Sequence, residues 1–277
     1  MNLLNKVIMK ITREFLSSEP KKSNIFNLSY DTFRGLPVPS DKAFSEYLKD
    51  KRIVIVGPAP HLLDSENGNI IDDFDIVVRI NKSFPVKKEM QMYLGSKTDI
   101  IYHCLYQIEE HGGLVKYKEM SEKNVSFLAC PYPYKLNPFY RHAKKFEIEY
   151  QQSNSNFGKH YVEKKYYVNL AKMIGTRYNT GIGAIVDILR YKIDSLYIMG
   201  FSFFETGFTK GYRTLENSDQ MVSIDDKSNN WLSIDWKNHN QSCQKKLIKL
   251  LMENDKRLSF DEFGSKVLEQ FKDDKSI

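Results

Sequence analysis

Short apolar runs separated by polar, turn-rich stretches dominate the chain from Arg52 onward. IVIVG (53–57) is almost unbroken in its apolar character, as strands buried on both faces of a parallel sheet are. DIVVRIN (75–81), TDIIYHC (98–104) and VSFLACP (125–131) follow the same pattern, and SLYIMGFSF (195–203) is a further buried strand. TGIGAIVDILRY (180–191) predicts a helix. So does the stretch from Gln241 to Asn254, with Cys243, Leu247, Leu250 and Leu251 on its apolar face. Strand, loop, helix and strand in alternation predict an α/β fold with a mainly parallel sheet and right-handed crossovers.

The flanks differ. Residues 1–16 place Leu4, Val7, Ile8, Ile11 and Phe15 on one helical stripe, with Lys6, Lys10 and Arg13 largely off it. Such a helix either lies on an anionic membrane surface or packs on its own domain. Residues 17–40, rich in Ser, Pro, Asn and Lys, read as a linker or extended strap, and a short helix over about 42–51 leads into the first strand. The chain thus divides into an N-terminal amphipathic helix and linker, 1–50, and a main domain, 51–277. Within that domain, residues 131–168 read as aromatic, basic and irregular. Residues 204–238 are polar and dotted with aromatics, and a loop of that length is either disordered or a lid over an active site.

Composition narrows the class without naming a function. With 41% hydrophobic and 27% charged residues among 277, the chain is of ordinary globular type. No stretch approaches the roughly 20 apolar residues of a membrane span, and no signal-peptide block opens the sequence, so a cytoplasmic protein is expected. Cys104, Cys130 and Cys243 are odd in number and widely spaced, which fits a reducing compartment and argues against a disulfide frame or a zinc site. The net charge of +6 suits an anionic partner, but the lysines are spread along the chain as a solvated surface would have them, and no nucleic-acid partner is expected.

Ligands of open α/β sheets sit beyond the C-terminal ends of the strands, which directs attention to the residues just after each run. Gly57 lets the backbone turn close to a ligand, whereas Pro58 and Pro60 remove two amide donors. That loop is a poor cradle for a pyrophosphate and counts against NAD or FAD. Asn81 ends its strand with both a donor and an acceptor, suited to a base or ribose edge or, equally, to a turn. Tyr178-Asn179-Thr180-Gly181 precedes the apolar helix: Asn179 or Thr180 can cap it, and its first amides make an anion site if Tyr178 or Tyr212 completes it. Gly200 follows the last buried strand. Among six histidines His239 stands out, because it closes the lid-like stretch and opens a helix, where a general base can face a cleft. The Asp73-Phe74-Asp75 triplet has the spelling of a metal motif but lies at a strand entrance, so no metal site is expected.

Taken in order, VIVGPAPHL, DFDIVVRIN, GSKTDIIYH, YNTGIGAIVDIL, SLYIMGFSFF and HNQSCQ resemble the sialyltransferase family with L, S and VS sialylmotifs, glycosyltransferase family 29, as a bacterial member would carry them. The bacterial sialyltransferases of family 42 are a more distant likeness. The resemblance spans roughly residues 52–250. It implies a single Rossmann-like domain of the variant GT-A type with a lid loop, no cofactor and no metal, a CMP-activated acidic sugar as donor, and a glycan acceptor, lipid-linked in one version. Asn81 matches the motif L asparagine at the nucleotide, and Thr180 and Gly181 match the motif S pair in the same pocket. Gly200 matches the glycine ending the motif S strand. Tyr178 falls where the family often has a phosphate-binding tyrosine, His239 matches the VS histidine that acts as base, and Tyr212 is placed like the lid tyrosine of family 42.

Three positions depart from the family pattern. Pro58 replaces the asparagine of the first motif, Gln244 stands where a glutamate follows the VS histidine, and no histidine represents the third motif, leaving Tyr212, Lys210 or Arg213 for the leaving phosphate. Two alternatives stay open at this point: a CMP-Kdo-dependent transferase, and a nucleotide- or glycan-binding module without catalysis. The expected enzyme works on a bacterial surface glycan such as lipooligosaccharide or capsule, with residues 1–16 as a peripheral membrane contact.

Overall fold

Strand formation follows the apolar runs. A computed structural model describes residues 28–109, 111–209, 212 and 239–272. In it the five runs become β1 (Arg52–Val56), β2 (Ile76–Ile80), β3 (Ile100–Tyr102), β4 (Phe127–Cys130) and, after one further strand β5 (Gly158–Tyr161), β6 (Ser195–Met199). A seventh, β7 (Leu258–Phe260), completes one sheet in the order β5-β4-β3-β2-β1-β6-β7. Every neighbouring pair is parallel. From β1 the chain moves to β2 on one side, while β6, paired with β1 from Arg52 opposite Ser195 to Val56 opposite Met199, leads to β7 on the other. The sheet therefore has its switch point between β1 and β6, and the crevice there opens at Gly57 and Gly200.

Both faces of the sheet are covered, because successive side chains of a strand point to opposite sides. Ile53, Ile55, Ile76, Val78 and Ile80 enter the larger core, and Val54, Val56 and Val77 enter a smaller one with Leu62, Ile71 and Met199. The helices are α1 (Tyr30–Arg34), α2 (Lys42–Leu48), α3 (Gly68–Asp72), α4 (Gln91–Leu94), α5 (Tyr117–Glu122), α6 (Tyr140–Gln152), α7 (Lys164–Ile174), α8 (Thr180–Ile188), α9 (Gln241–Asn254) and α10 (Glu262–Gln270). None of the described helices is long and apolar enough to cross a membrane.

Two expectations change. The region 131–168 is not irregular: it contains α6, β5 and the start of α7. Its signal is weak because α6 buries only Ala143 and Phe146, and β5 is an edge strand spelled Gly-Lys-His-Tyr. The stretch ahead of β1 is also more than a linker, since Phe33, Phe44 and Leu48 belong to the main core. The amphipathic stripe of residues 1–16 lies outside the described residues, as do 213–238 of the expected lid.

Two charged assemblies hold the sheet to its surroundings. Arg79, 1% exposed, donates to the carbonyls of Leu94 and Lys97 at 2.8 and 2.9 Å and to Thr98 Oγ1 at 2.9 Å, while burial lowers its pKa to about 10. The arginine of V-R-x-N and the G-x-K-T turn are thus one structural unit. On the other side Asp187 of α8 accepts from Tyr102 Oη (2.8 Å), His160 Nε2 (2.9 Å) and Arg190 Nη1 (2.8 Å). His160 Nδ1 meets Asp41 at 2.9 Å, and Arg190 reaches Glu163 at 2.6 Å. Burial disfavours the imidazolium, yet the two carboxylates outweigh it and bring His160 up to about 9. This network fixes α8 in rotation and height, and the helix in turn presents its N-terminus to the crevice.

Candidate active site

The crevice is built by two chain segments zipped together. Asn240 N–H donates to Thr176 Oγ1 at 3.1 Å, Asn179 N–H donates to Gln244 Oε1 at 2.9 Å, and between them His239 Nδ1 lies 3.0 Å from the Arg177 carbonyl oxygen. Each segment ends in a capped helix: Asn179 Oδ1 accepts from Ile182 N–H and Asn240 Oδ1 from Cys243 N–H. The caps fix where α8 and α9 begin, so residues 176–179 and 239–244 face each other at the strand ends.

His239 is 9% exposed. A carbonyl oxygen only accepts, so Nδ1 carries the proton, and a guanidinium only donates, so the Nε2 facing Arg177 is the unprotonated nitrogen. Nε2 then holds a lone pair, directed to Arg177 Nη2 at 3.4 Å. This is the arrangement of a general base with an oriented tautomer. Gln244, the departure from glutamate, accepts the Asn179 amide.

Asn81 and Thr180 are brought together through Cys104. Asn81 Oδ1 accepts from Cys104 N–H at 3.0 Å, and the Thr180 hydroxyl bonds the Cys104 thiol, whose pKa burial raises to about 11. Asn81 has φ +51°, the left-handed region that asparagine tolerates better than most residues. Bonding of its oxygen to the protein leaves the amide NH2 as the group that can address a ligand.

The glycines at the switch point have a packing explanation. A Cβ on Gly57 would lie 2.3 Å from the Gly200 carbonyl oxygen and 2.6 Å from the Phe201 ring. One on Gly181 would lie 2.7 Å from the same ring. Gly57 and Gly181 thus make room for Phe201, a floor residue the sequence reading missed, and Gly200 takes φ +73° to turn the chain after β6.

Pro58 closes the far side. Its carbonyl accepts from Thr209 N–H and Oγ1 at 2.7 and 2.8 Å, which seats the start of the 204–238 stretch on the β1 loop. Tyr212 follows, with its hydroxyl 3.4 Å from the Ile80 carbonyl beside Asn81 and its ring 5.3 Å from that of Phe208. The Asp73–Asp75 pair is engaged with Arg52 at the opposite end of the sheet.

One expectation is corrected. Tyr178 does not reach the crevice: it is 0% exposed, stacks on Tyr132, and donates its hydroxyl proton to the Pro131 carbonyl at 2.9 Å. With its only proton committed and its pKa pushed well up by burial, it supports α8 from beneath and is no phosphate ligand in this arrangement. The residue that faces the crevice is its neighbour Arg177.

A family profile described as "Glycosyltransferase family 29 (sialyltransferase)" matches residues 5–172. No curated protein matches the chain significantly. Among solved structures, a mammalian sialyltransferase in complex with Gal-beta-1-3GalNAc-ortho-nitrophenol is 16% identical, covering 94% of this chain and 86% of that one with a TM-score of 0.51. A second structure of a mammalian sialyltransferase is 15% identical, covering 94% and 85%, TM-score 0.52. The sialyltransferase CstII from Campylobacter jejuni, solved with a substrate analogue, cytidine-5'-monophosphate, is 16% identical over 76% of this chain and 80% of that one, TM-score 0.43. The first two likenesses establish the shared fold.

Proposed function

Because the chain belongs to glycosyltransferase family 29, the sialyltransferases, and is therefore a CMP-sugar-dependent glycosyltransferase, we propose that it transfers a sialic-acid-like sugar to a glycan hydroxyl by an inverting, metal-independent mechanism. The observation that carries this reading is the zipper that ties His239 to the segment leading into α8, whose first residue is Thr180. Asn81, Thr180 and the first amides of α8 address the cytidine monophosphate, over a floor shaped by Gly57, Gly181, Gly200 and Phe201. Tyr212 is assigned to the phosphate.

The chemistry requires two things of the protein. The acceptor oxygen attacks the anomeric carbon from the face opposite the phosphate, the carbon–oxygen bond to CMP breaks, and its electron pair leaves on the phosphate. His239 Nε2 takes the hydroxyl proton, at a contribution of about 10²–10⁴-fold in rate. Donors preorganised at the helix N-terminus stabilise the charge that develops on the phosphate. Nothing in this step calls for a Lewis acid, since the charge that leaves is met by protein donors.

We place the acceptor among bacterial surface glycans. The support is the apolar stripe read over residues 1–16, of the kind that lies on a membrane where lipid-linked glycans are presented. The test of the mechanism is the anomeric configuration of the product by NMR, with and without excess chelator. Inversion at an unchanged rate is expected. Retention, or activity lost to chelation, would overturn it.

A further inference from the structure

Arg177, beside His239, is a cation with no counter-charge among the described residues. Elsewhere in the fold Arg190 pairs with Asp187 and Glu163, Arg257 with Asp255 and Arg52 with Asp73, while the buried Arg79 has its donors met by carbonyls and Thr98. No carboxylate among the described residues lies within ion-pair distance of Arg177, and its Nε is buried with no hydrogen-bond partner. The side chain is half-buried, passes 6.0 Å from the centre of the Phe139 ring, and spends one N–H on a neutral imidazole 3.4 Å away. Its positive charge bears on Cys104, Tyr132 and Tyr167, all held neutral by burial. A buried Nε–H without a partner is costly until an acceptor completes it, and a planar guanidinium fork is the group that grips phosphate or carboxylate through two parallel bonds.

Resting on the transferase reading above, we propose that Arg177 clamps the anionic group of the CMP-sugar beside the scissile bond, and that in the donor-free protein it caps the lone pair of His239. Two facts point the same way. Arg177 stands two residues before the cap of α8, so its guanidinium and the first helix amides converge from one side. Tyr178, which the family pattern would put on the phosphate, is committed to Pro131, which leaves room for a further donor beside Tyr212 and the helix amides. The proton balance is simple: Arg177 keeps its protons throughout, and only its hydrogen bond moves from imidazole nitrogen to anion oxygen. Once it moves, Nε2 is open to the acceptor hydroxyl. Donor binding thereby uncovers the base, and the acceptor is deprotonated only when there is a donor to attack.

Phosphate and sugar carboxylate offer the same chemistry, and binding measurements separate them. Calorimetry on the full chain, wild type and Arg177→Gln, would use cytidine, CMP and an inert 3-fluoro analogue of CMP-sialic acid. With the phosphate as the anion, Arg177→Gln weakens CMP and the analogue about 10- to 100-fold and leaves cytidine unchanged. With the carboxylate as the anion, only the analogue weakens. Arg177→Lys recovers part of the affinity, which a merely structural loss would not allow, and donor KM rises in step with the analogue's Kd. Equal affinity of wild type and Arg177→Gln for both anionic ligands would overturn the clamp. Wild-type protein that binds neither CMP nor the analogue would overturn the transferase reading itself, and the clamp with it.

Discussion

Arg177 holds the imidazole of His239 from two sides, its carbonyl oxygen 3.0 Å from Nδ1 and its guanidinium 3.4 Å from Nε2. The backbone contact fixes which nitrogen carries the proton, and the side-chain contact fixes where the lone pair points. The proposed base role needs both, and here one residue supplies them from a segment that the Thr176 and Asn179 contacts tie to the start of α9.

Asn81 divides its amide between structure and ligand. Asn81→Asp keeps an oxygen for the Cys104 amide but loses the NH2 proposed to address the nucleotide. The variant is expected to fold with a near wild-type Tm and to bind CMP about tenfold more weakly. Calorimetry checks this, and unchanged CMP affinity would remove Asn81 from the pocket.

Gly181 and Phe201 form a pair that can be tested by compensation. A methyl group on Gly181 would meet the Phe201 ring at 2.7 Å, so Gly181→Ala is expected to cost about 1–3 kcal/mol by overpacking. Adding Phe201→Leu should restore most of the lost Tm, since the smaller side chain vacates the contact. Gly57→Ala should resist that rescue, because its Cβ would also strike the Gly200 carbonyl. Thermal melts of Gly181→Ala and Gly57→Ala, each with and without Phe201→Leu, decide the matter.

The network beneath α8 predicts a pH dependence of stability. Folded His160, with Asp187 and Asp41 on its two nitrogens and Arg190, Tyr102 and Glu163 around the cluster, titrates at about 9 against an ordinary value of 6.5. A pKa raised by folding stabilises the protein fully below the unfolded value, and the contribution disappears as pH rises through the folded one. The Tm of the wild type should therefore fall between about pH 6.5 and 9, more steeply than that of His160→Gln. Parallel slopes in that window would contradict the assignment.

Much of this fold could be read from the chain, for physical reasons that also explain the gaps. Ile53–Val56 and Ile76–Val78 are buried on both faces, so their runs are apolar throughout and visible. β5 is not, because its middle residues bond to carboxylates: Lys159 to Glu147 and His160 to Asp187. A cap at Asn179 or Thr180 is legible because both residue types favour the position before an apolar helix, and the structure gives it to Asn179. Tyr178 was placed by its position in a motif, yet side-chain direction depends on the local turn, and the turn sends Tyr178 inward and Arg177 outward. No pattern marks a lone arginine as lacking a counter-charge, since that depends on every carboxylate the fold brings near it.

The measurement that most directly tests the account follows CMP release from CMP-sialic acid with a glycan acceptor, for the wild type and His239→Ala, beside CMP binding by calorimetry. The account predicts acceptor-dependent release by the wild type, CMP affinity within a fewfold of wild type in His239→Ala, and transfer lowered about 10²–10⁴-fold. Near wild-type transfer by His239→Ala would contradict it.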